Sequence, residues 1–160
     1  MADIGKIFIS ESRAFLGSDY LPKIERCLEA LTDEDVWWRA GDGSNSIGNL
    51  LLHLNGSTRG WIVDVVGGSY SPRDRQREFD EREQIPRAEL IARLRQTLAE
   101  ADEVLARLDP EALLERRQTP WEEVTVLWAV YHAIEHFAMH AGQIIMLAKM
   151  RAGGDLKLSD

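Results

Sequence analysis

Apolar residues recur every three or four positions along most of the chain, which is the spacing of an amphipathic helix. Four segments show this pattern: residues 4–31, 46–68, 86–110 and 119–154. Pro22 predicts a kink in the first segment, and Ser46 is a typical N-cap residue for the second. No segment shows a sustained alternation of apolar and polar residues, as a half-buried strand would. The pattern therefore predicts an all-α protein, a four-helix bundle.

Polar and turn-forming residues mark the limits of the later helices. Thr119 and Glu122 have the spacing of a capping box, and Pro120 stands at the first helical position. These residues predict that the fourth helix begins there, and the glycine pair 153–154 predicts its end. Residues 69–84, between the second and third helices, are polar and highly charged, which predicts an irregular connection.

Length and composition limit the classes of protein to consider. The chain has 160 residues, which favours one domain over residues 1–160. It carries 27 acidic and 19 basic side chains, and the net charge of −8 argues against a nucleic acid partner. One cysteine excludes an internal disulfide and a thiolate-rich zinc site. Since no signal-peptide pattern and no membrane-length apolar run is found, we expect a cytoplasmic protein without a membrane partner.

The four histidines are the main candidates for chemistry. His132, His136 and His140 follow one another at intervals of four, so all three project from one face of the fourth helix. His53 lies at the border of the apolar stripe of the second helix. The spacing alone leaves two interpretations open: a metal site, or imidazoles that form hydrogen bonds within the core. His-Glu-x-x-His and Glu-x-x-His are both absent, which excludes metalloprotease and di-iron motifs.

Several other side chains are candidates for supporting the histidines or for lining a substrate pocket. Asn49 can orient His53 or a bound water, or only stabilise the start of its helix, and Gln143 can contact a ligand or only pack. Trp61 is either core or pocket wall. Arg73 and Arg75 belong to a run of alternating charges, which is typical of a solvated, self-paired loop; alternatively, one arginine faces the pocket and binds an anionic substrate group.

The chain resembles the DinB-like (DinB/YfiT) superfamily of metal-binding four-helix bundles, and within it a bacterial subfamily, in NSIGNLLLHLNGSTRGWI, RDRQREF and HAIEHFAMHAGQIIMLAK. The resemblance extends over nearly the whole chain. It implies that His53, His136 and His140 bind one divalent metal ion. His132 and His136 have the same spacing and are an alternative pair, although Gly142-Gln143 after His140 favours the later one.

Three neutral histidines leave a divalent ion with an open coordination position, which is the pattern of catalytic sites. The resemblance implies one zinc or nickel ion per chain and a small-molecule substrate. It also implies transfer or isomerisation with a low-molecular-weight thiol such as bacillithiol or mycothiol, or else hydrolysis, and a homodimer. The alternative is a non-catalytic, stress-associated bundle that binds a metal or another ligand.

Overall fold

Helices account for most of the computed structural model, which describes residues 3–120 and 122–158. The α-helices are α1 (Ile4–Ala14), α2 (Leu21–Glu29), α3 (Asp33–Trp37), α4 (Ile47–Thr58), α5 (Arg75–Asp80), α6 (Arg87–Arg107) and α7 (Val126–Ala152). Two π-helical turns cover Phe15–Tyr20 and Arg59–Val66, and a 3₁₀ turn covers Pro110–Leu114. The strands are β1 (Arg116–Gln118) and β2 (Glu123–Thr125). The ends of the expected domain, residues 1–2 and 159–160, lie outside the described residues.

Four long helices form the bundle. The first consists of α1 and α2, joined without a break by Phe15–Tyr20, and the second consists of α4 continued by Arg59–Val66. The third and fourth are α6 and α7. α4 packs against both α6 and α7, and α2 packs against α7. The prediction of an all-α bundle is confirmed.

Near Pro22, where the sequence predicts a kink, the helix contains a wider π-helical turn that ends two residues before the proline. Proline lacks an N–H group, and its ring clashes with the carbonyl four residues earlier in a regular helix. A turn with one extra residue avoids part of this conflict. There the N–H of Leu21 donates to the carbonyl of Leu16, five residues back.

Inward faces of the four long helices make one core. The side chains of Ile24, Leu54, Leu94, Phe137 and Ile144 are fully buried in it. Burying one such side chain contributes about 1.5–3 kcal/mol, so the core provides a rigid frame for residues at its edge. Within the described part of the chain, no helix has the length and apolar content that crossing a membrane requires.

The fourth helix begins at Val126, so the capping box predicted at Thr119 and Glu122 is wrong. Strands β1 and β2 precede it as an antiparallel hairpin, which the sequence pattern also did not predict. Thr119 N–H donates to the Glu122 carbonyl at 2.9 Å, and Glu122 N–H donates to Thr119 Oγ1 at 3.1 Å. These bonds close the hairpin turn, because a threonine side chain can satisfy backbone groups in a turn as well as at a helix start. The N-cap of the helix is Thr125.

Residues 69–84 are not wholly irregular, because they contain the short helix α5. Asp74 caps its start, and the side chain of Asn49 holds its end against α4. Asn49 Nδ2 donates to the carbonyls of Glu78 at 2.9 Å, Phe79 at 3.3 Å and Glu81 at 3.2 Å. A helix of six residues is unstable alone, so tertiary contacts hold it, and periodicity could not reveal it.

Candidate metal centre

Three imidazoles meet where α4 crosses α7. His53 Nε2 lies 3.1 Å from His136 Nε2, and His136 Nε2 lies 3.2 Å from His140 Nε2. One ligand atom from each ring lies within 4.8 Å of those of the other two. The helical frame produces this arrangement, since His136 and His140 are one turn apart on α7 and α4 supplies His53 opposite them.

The other nitrogen of each ring has its own partner. His53 Nδ1 lies 2.8 Å from Glu78 Oε2, and His140 Nδ1 lies 2.8 Å from Gln143 Oε1. His136 Nδ1 lies 3.3 Å from the hydroxyl of Ser57. Glu78 can only accept a hydrogen bond, so His53 Nδ1 carries the proton. Ser57 and Gln143 can also accept, and with the proton on all three Nδ1 atoms each Nε2 has a free lone pair.

Three Nε2 lone pairs this close together suit a cation. When every proton is on Nδ1, the Nε2 atoms cannot form hydrogen bonds to one another, so their separations of 3.1 and 3.2 Å are repulsive contacts without a cation. A tetrahedral zinc ion at about 2.0–2.1 Å from each ligand separates its nitrogens by about 3.3–3.4 Å. The donor set and its spacing therefore fit one divalent ion.

Burial favours the neutral form of His136 and of His140. His53 is 2% exposed and His140 is 9% exposed. Burial, reinforced by the positive charge that His140 and His53 would carry, lowers the pKa of His136 to about 3. Burial also lowers the pKa of His140, although its bond to Gln143 opposes that shift, and the charge of Arg75 adds to it. Neutral imidazole is the form that binds a metal, so His136 and His140 are available as ligands at neutral pH.

Glu78 and Arg73 contact His53 on the Nδ1 side of its ring, away from the other two histidines. Arg73 binds Glu78 through two bonds, from Nε to Oε1 at 2.7 Å and from Nη2 to Oε2 at 2.9 Å. Burial alone would raise the pKa of Glu78, but the bonds to Arg73 and His53 outweigh it and lower that pKa. Glu78 is therefore ionised and holds the Nδ1 proton of His53, which makes Nε2 a stronger ligand. Gly56 leaves room for this pair, because a Cβ there would overlap Glu78 Oε1.

His132 does not join the other three histidines. Its ring stacks on Trp128 at 4.8 Å, its Nδ1 lies 2.9 Å from Glu135, and its ring centre is 5.6 Å from that of His136. Trp61 packs edge-on against the same ring at 5.0 Å. The structure thus brings together the later pair, His136 and His140, and places His132 in an aromatic cluster beside them.

The remaining candidate residues have separate places. Asn49 holds the end of α5 and forms no hydrogen bond with His53, and Gln143 binds His140. Arg73 pairs with Glu78, while the guanidinium of Arg75 lies over the ring of Phe79 at 5.0 Å. Trp61, Arg73, Arg75 and Glu78 also line a groove of about 1380 Å³ beside the centre.

Sequence reasoning did not single out Ser57 or Glu78. Ser57 lies one helical turn after His53, on the same face of α4, so its spacing was an available signal. Glu78 lies in a run of alternating charges, and its place in RDRQREF, one of the segments that carry the family resemblance, was an available signal. Its role depends on a contact between residues that are 25 positions apart in the chain.

Comparison with known proteins identifies the fold and the family. One solved structure, a DinB-like protein from Bacillus cereus ATCC 10987, superimposes with a TM-score of 0.67 over 87% of this chain and 91% of that chain, at 18% identity. The fold is therefore that of a DinB-like helical bundle, as the sequence resemblance implied. The model of the mycothiol S-transferase family matches residues 14–150, and the chain belongs to that family. No curated protein matches the chain.

Proposed function

We propose that the protein transfers a low-molecular-weight thiol of the mycothiol type to a small electrophile, using one zinc or nickel ion held by His53, His136 and His140. The observation that carries this proposal is the convergence of three imidazole rings whose Nδ1 atoms each have a hydrogen-bond partner of their own. Membership of the mycothiol S-transferase family supports the choice of thiol.

Each residue of the centre has a defined task in this proposal. His53, His136 and His140 supply the ligand nitrogens, and Glu78 and Gln143 keep the rings of His53 and His140 in the required tautomer. A divalent ion bound there would lower the pKa of a coordinated thiol and so supply a thiolate at neutral pH.

The number of protein ligands favours catalysis over a purely structural brace. Structural zinc sites are usually closed by four protein ligands, whereas catalytic sites have three and an open position. Within residues 3–120 and 122–158, the three histidines form the group whose ligand atoms converge, and no fourth carboxylate or thiol joins them. A groove lined by Arg73 and Glu78, which both contact Nδ1 of His53, offers space for a small molecule.

The first experiment compares alanine variants at the four histidines. We expect about one zinc or nickel ion per chain in the purified protein, measured by mass spectrometry of the metal content. His53→Ala, His136→Ala and His140→Ala should lose the ion, whereas the matched control His132→Ala should keep it. Equal loss at all four positions would show that the ligand set is wrong.

The same variants test the reaction. Zinc- or nickel-loaded protein should consume a thiol and an electrophile in equal amounts, with mycothiol or cysteinyl glucosamine as the thiol. The three variants that lack the ion should be inactive, and His132→Ala should retain turnover. A loaded protein that is inactive with every thiol would favour the alternative of a non-catalytic binding protein. The cytoplasmic location and the homodimer stay predictions.

A further inference from the structure

Charged side chains line the groove beside the metal centre, and most of its arginines are already paired. The pairs are Arg59 with Glu100, Arg73 with Glu78, Arg93 with Glu89, and Arg117 with Glu115. Among the residues that the structure describes, no carboxylate lies within ion-pair distance of Arg75 or Arg77. These two side chains therefore hold the unneutralised positive charge of the groove wall.

Arg75 differs from Arg77 in its link to the metal centre. Its guanidinium lies 5.0 Å from the centre of the Phe79 ring, and that ring lies 4.6 Å from the ring of His53. Two aromatic contacts thus connect Arg75 to a candidate ligand. Arg77 lies two residues further along α5, about 200° around the helix, and has no ring contact of this kind within the described residues.

The N–H groups of Arg75 are available for binding. Its contact with Phe79 uses the positive charge of the guanidinium, and within the described residues none of its side-chain N–H groups donates a hydrogen bond. A guanidinium can bind both oxygens of a carboxylate at once. Because the chain has a net charge of −8, an anion meets overall repulsion, and a local unpaired arginine is what would allow it to bind here.

We propose that Arg75 binds a carboxylate carried by a small-molecule substrate of the metal centre. This inference rests on the proposed function and narrows it to substrates with an anionic group. The groove also presents the side chains of Trp61 and Val65, which would contact the carbon skeleton of such a molecule. The carboxylate can belong to the electrophile or to the thiol, and the experiment distinguishes the two.

The test compares the binding of matched carboxylates and carboxamides to the zinc-loaded protein by calorimetry, with one substrate at a time. The thiol pair is N-acetylcysteine and its amide, and the electrophile pair is cinnamate and cinnamamide. We expect wild-type protein to prefer the carboxylate in one pair by about tenfold, as a charge-assisted bond would give. Arg75→Gln should remove this preference, Arg75→Lys should restore part of it, and the control Arg77→Gln should retain it.

Three results would overturn the inference: no preference in either pair, a preference unchanged in Arg75→Gln, or equal loss in Arg77→Gln. An unchanged preference would mean that the carboxylate binds the metal directly. Zinc content, measured in every variant, shows whether the centre itself is intact. A carboxylate preference without thiol transfer would contradict only the proposed function, whereas transfer without that preference would contradict only the role of Arg75.

Discussion

Glu78 determines which nitrogen of His53 faces the other two imidazoles. An ionised carboxylate 2.8 Å from Nδ1 can only accept a hydrogen bond, so the proton stays on Nδ1 and the lone pair stays on Nε2. Arg73 keeps Glu78 ionised by two bonds of its own. Arg73 therefore orients Glu78, and Glu78 in turn orients the imidazole of His53 so that its Nε2 atom can bind a metal.

Glu78→Gln should weaken zinc binding by about 10- to 100-fold, because outer hydrogen-bond partners of ligating histidines typically contribute this much. The neutral amide binds Arg73 less strongly and can turn its NH₂ group toward Nδ1. The measurement is the zinc dissociation constant, obtained by competition with a chromophoric chelator. Glu83→Gln, which removes a carboxylate from the same groove, is the control and should bind zinc like wild type. Identical zinc dissociation constants for the two variants would show that Glu78 does not contribute to metal binding.

The sequence allowed prediction of the histidines but not of their partners. The spacing of His136 and His140 predicts a shared face because helical geometry is local and regular. Glu78 reaches His53 through the docking of a separate segment, and single-sequence patterns contain no information about such a contact. Gln143 lies between these two cases. The sequence suggests it as a residue that contacts a ligand or only packs, and its position three residues after His140 on α7 gives it a hydrogen bond to that histidine.

At the scale of elements, α5 and α4 meet at Gly56. A Cβ at this position would overlap Glu78 Oε1 and lie 2.9 Å from Arg73 Nε. The absence of a side chain thus lets the Arg73–Glu78 pair lie against the helix that carries His53. Asn49, one turn before His53, fixes the C-terminal end of α5, because its side-chain amide donates to the backbone carbonyls of Glu78 and Glu81.

Gly56→Ala should displace Glu78 and so lower zinc affinity, even though alanine favours a helix by up to about 1 kcal/mol over glycine. The matched control is Gly60→Ala, one turn later, where the nearest atom to a new Cβ is Arg73 Nη1 at 3.8 Å. Zinc affinity and thermal unfolding are measured for both. A Gly56→Ala protein that binds zinc as tightly as Gly60→Ala would show that α5 tolerates the added methyl group.

Periodicity predicted the long helices and failed at the short elements. The apolar stripes of α4, α6 and α7 bury large faces, so sequence and tertiary packing agree there. The hairpin before α7 has only three residues in each strand, too few for an alternating pattern to appear. Thr119 and Glu122 match a helix start locally, and only the pairing of β1 with β2 decides in favour of a turn.

For the whole molecule, burying neutral histidines makes stability depend on pH. In the folded, metal-free protein the pKa of His136 is lowered to about 3, whereas a histidine in the unfolded chain titrates near about 6.5. Between these values the unfolded chain binds a proton that the folded chain does not. The free energy of unfolding therefore falls as the pH decreases from about 6.5 toward 3.

Urea unfolding of metal-stripped protein at pH 7, 6 and 5 should show this loss of stability. His136→Gln lacks the titrating group, so its stability should fall less over the same interval. The interval stays above the range in which ordinary carboxylates titrate. Parallel curves for wild type and His136→Gln would mean that His136 is not the group responsible.

The position of Glu78 on α5, outside the four long helices, also has a thermodynamic consequence. If docking of α5 strengthens metal binding, then metal binding must strengthen the docking of α5 by the same free energy, because such coupling is reciprocal. The amide hydrogens of residues 75–80 would then exchange more slowly in loaded protein than in stripped protein. A surface segment rich in charge would thus report the occupancy of a site whose ligand His53 is almost entirely buried.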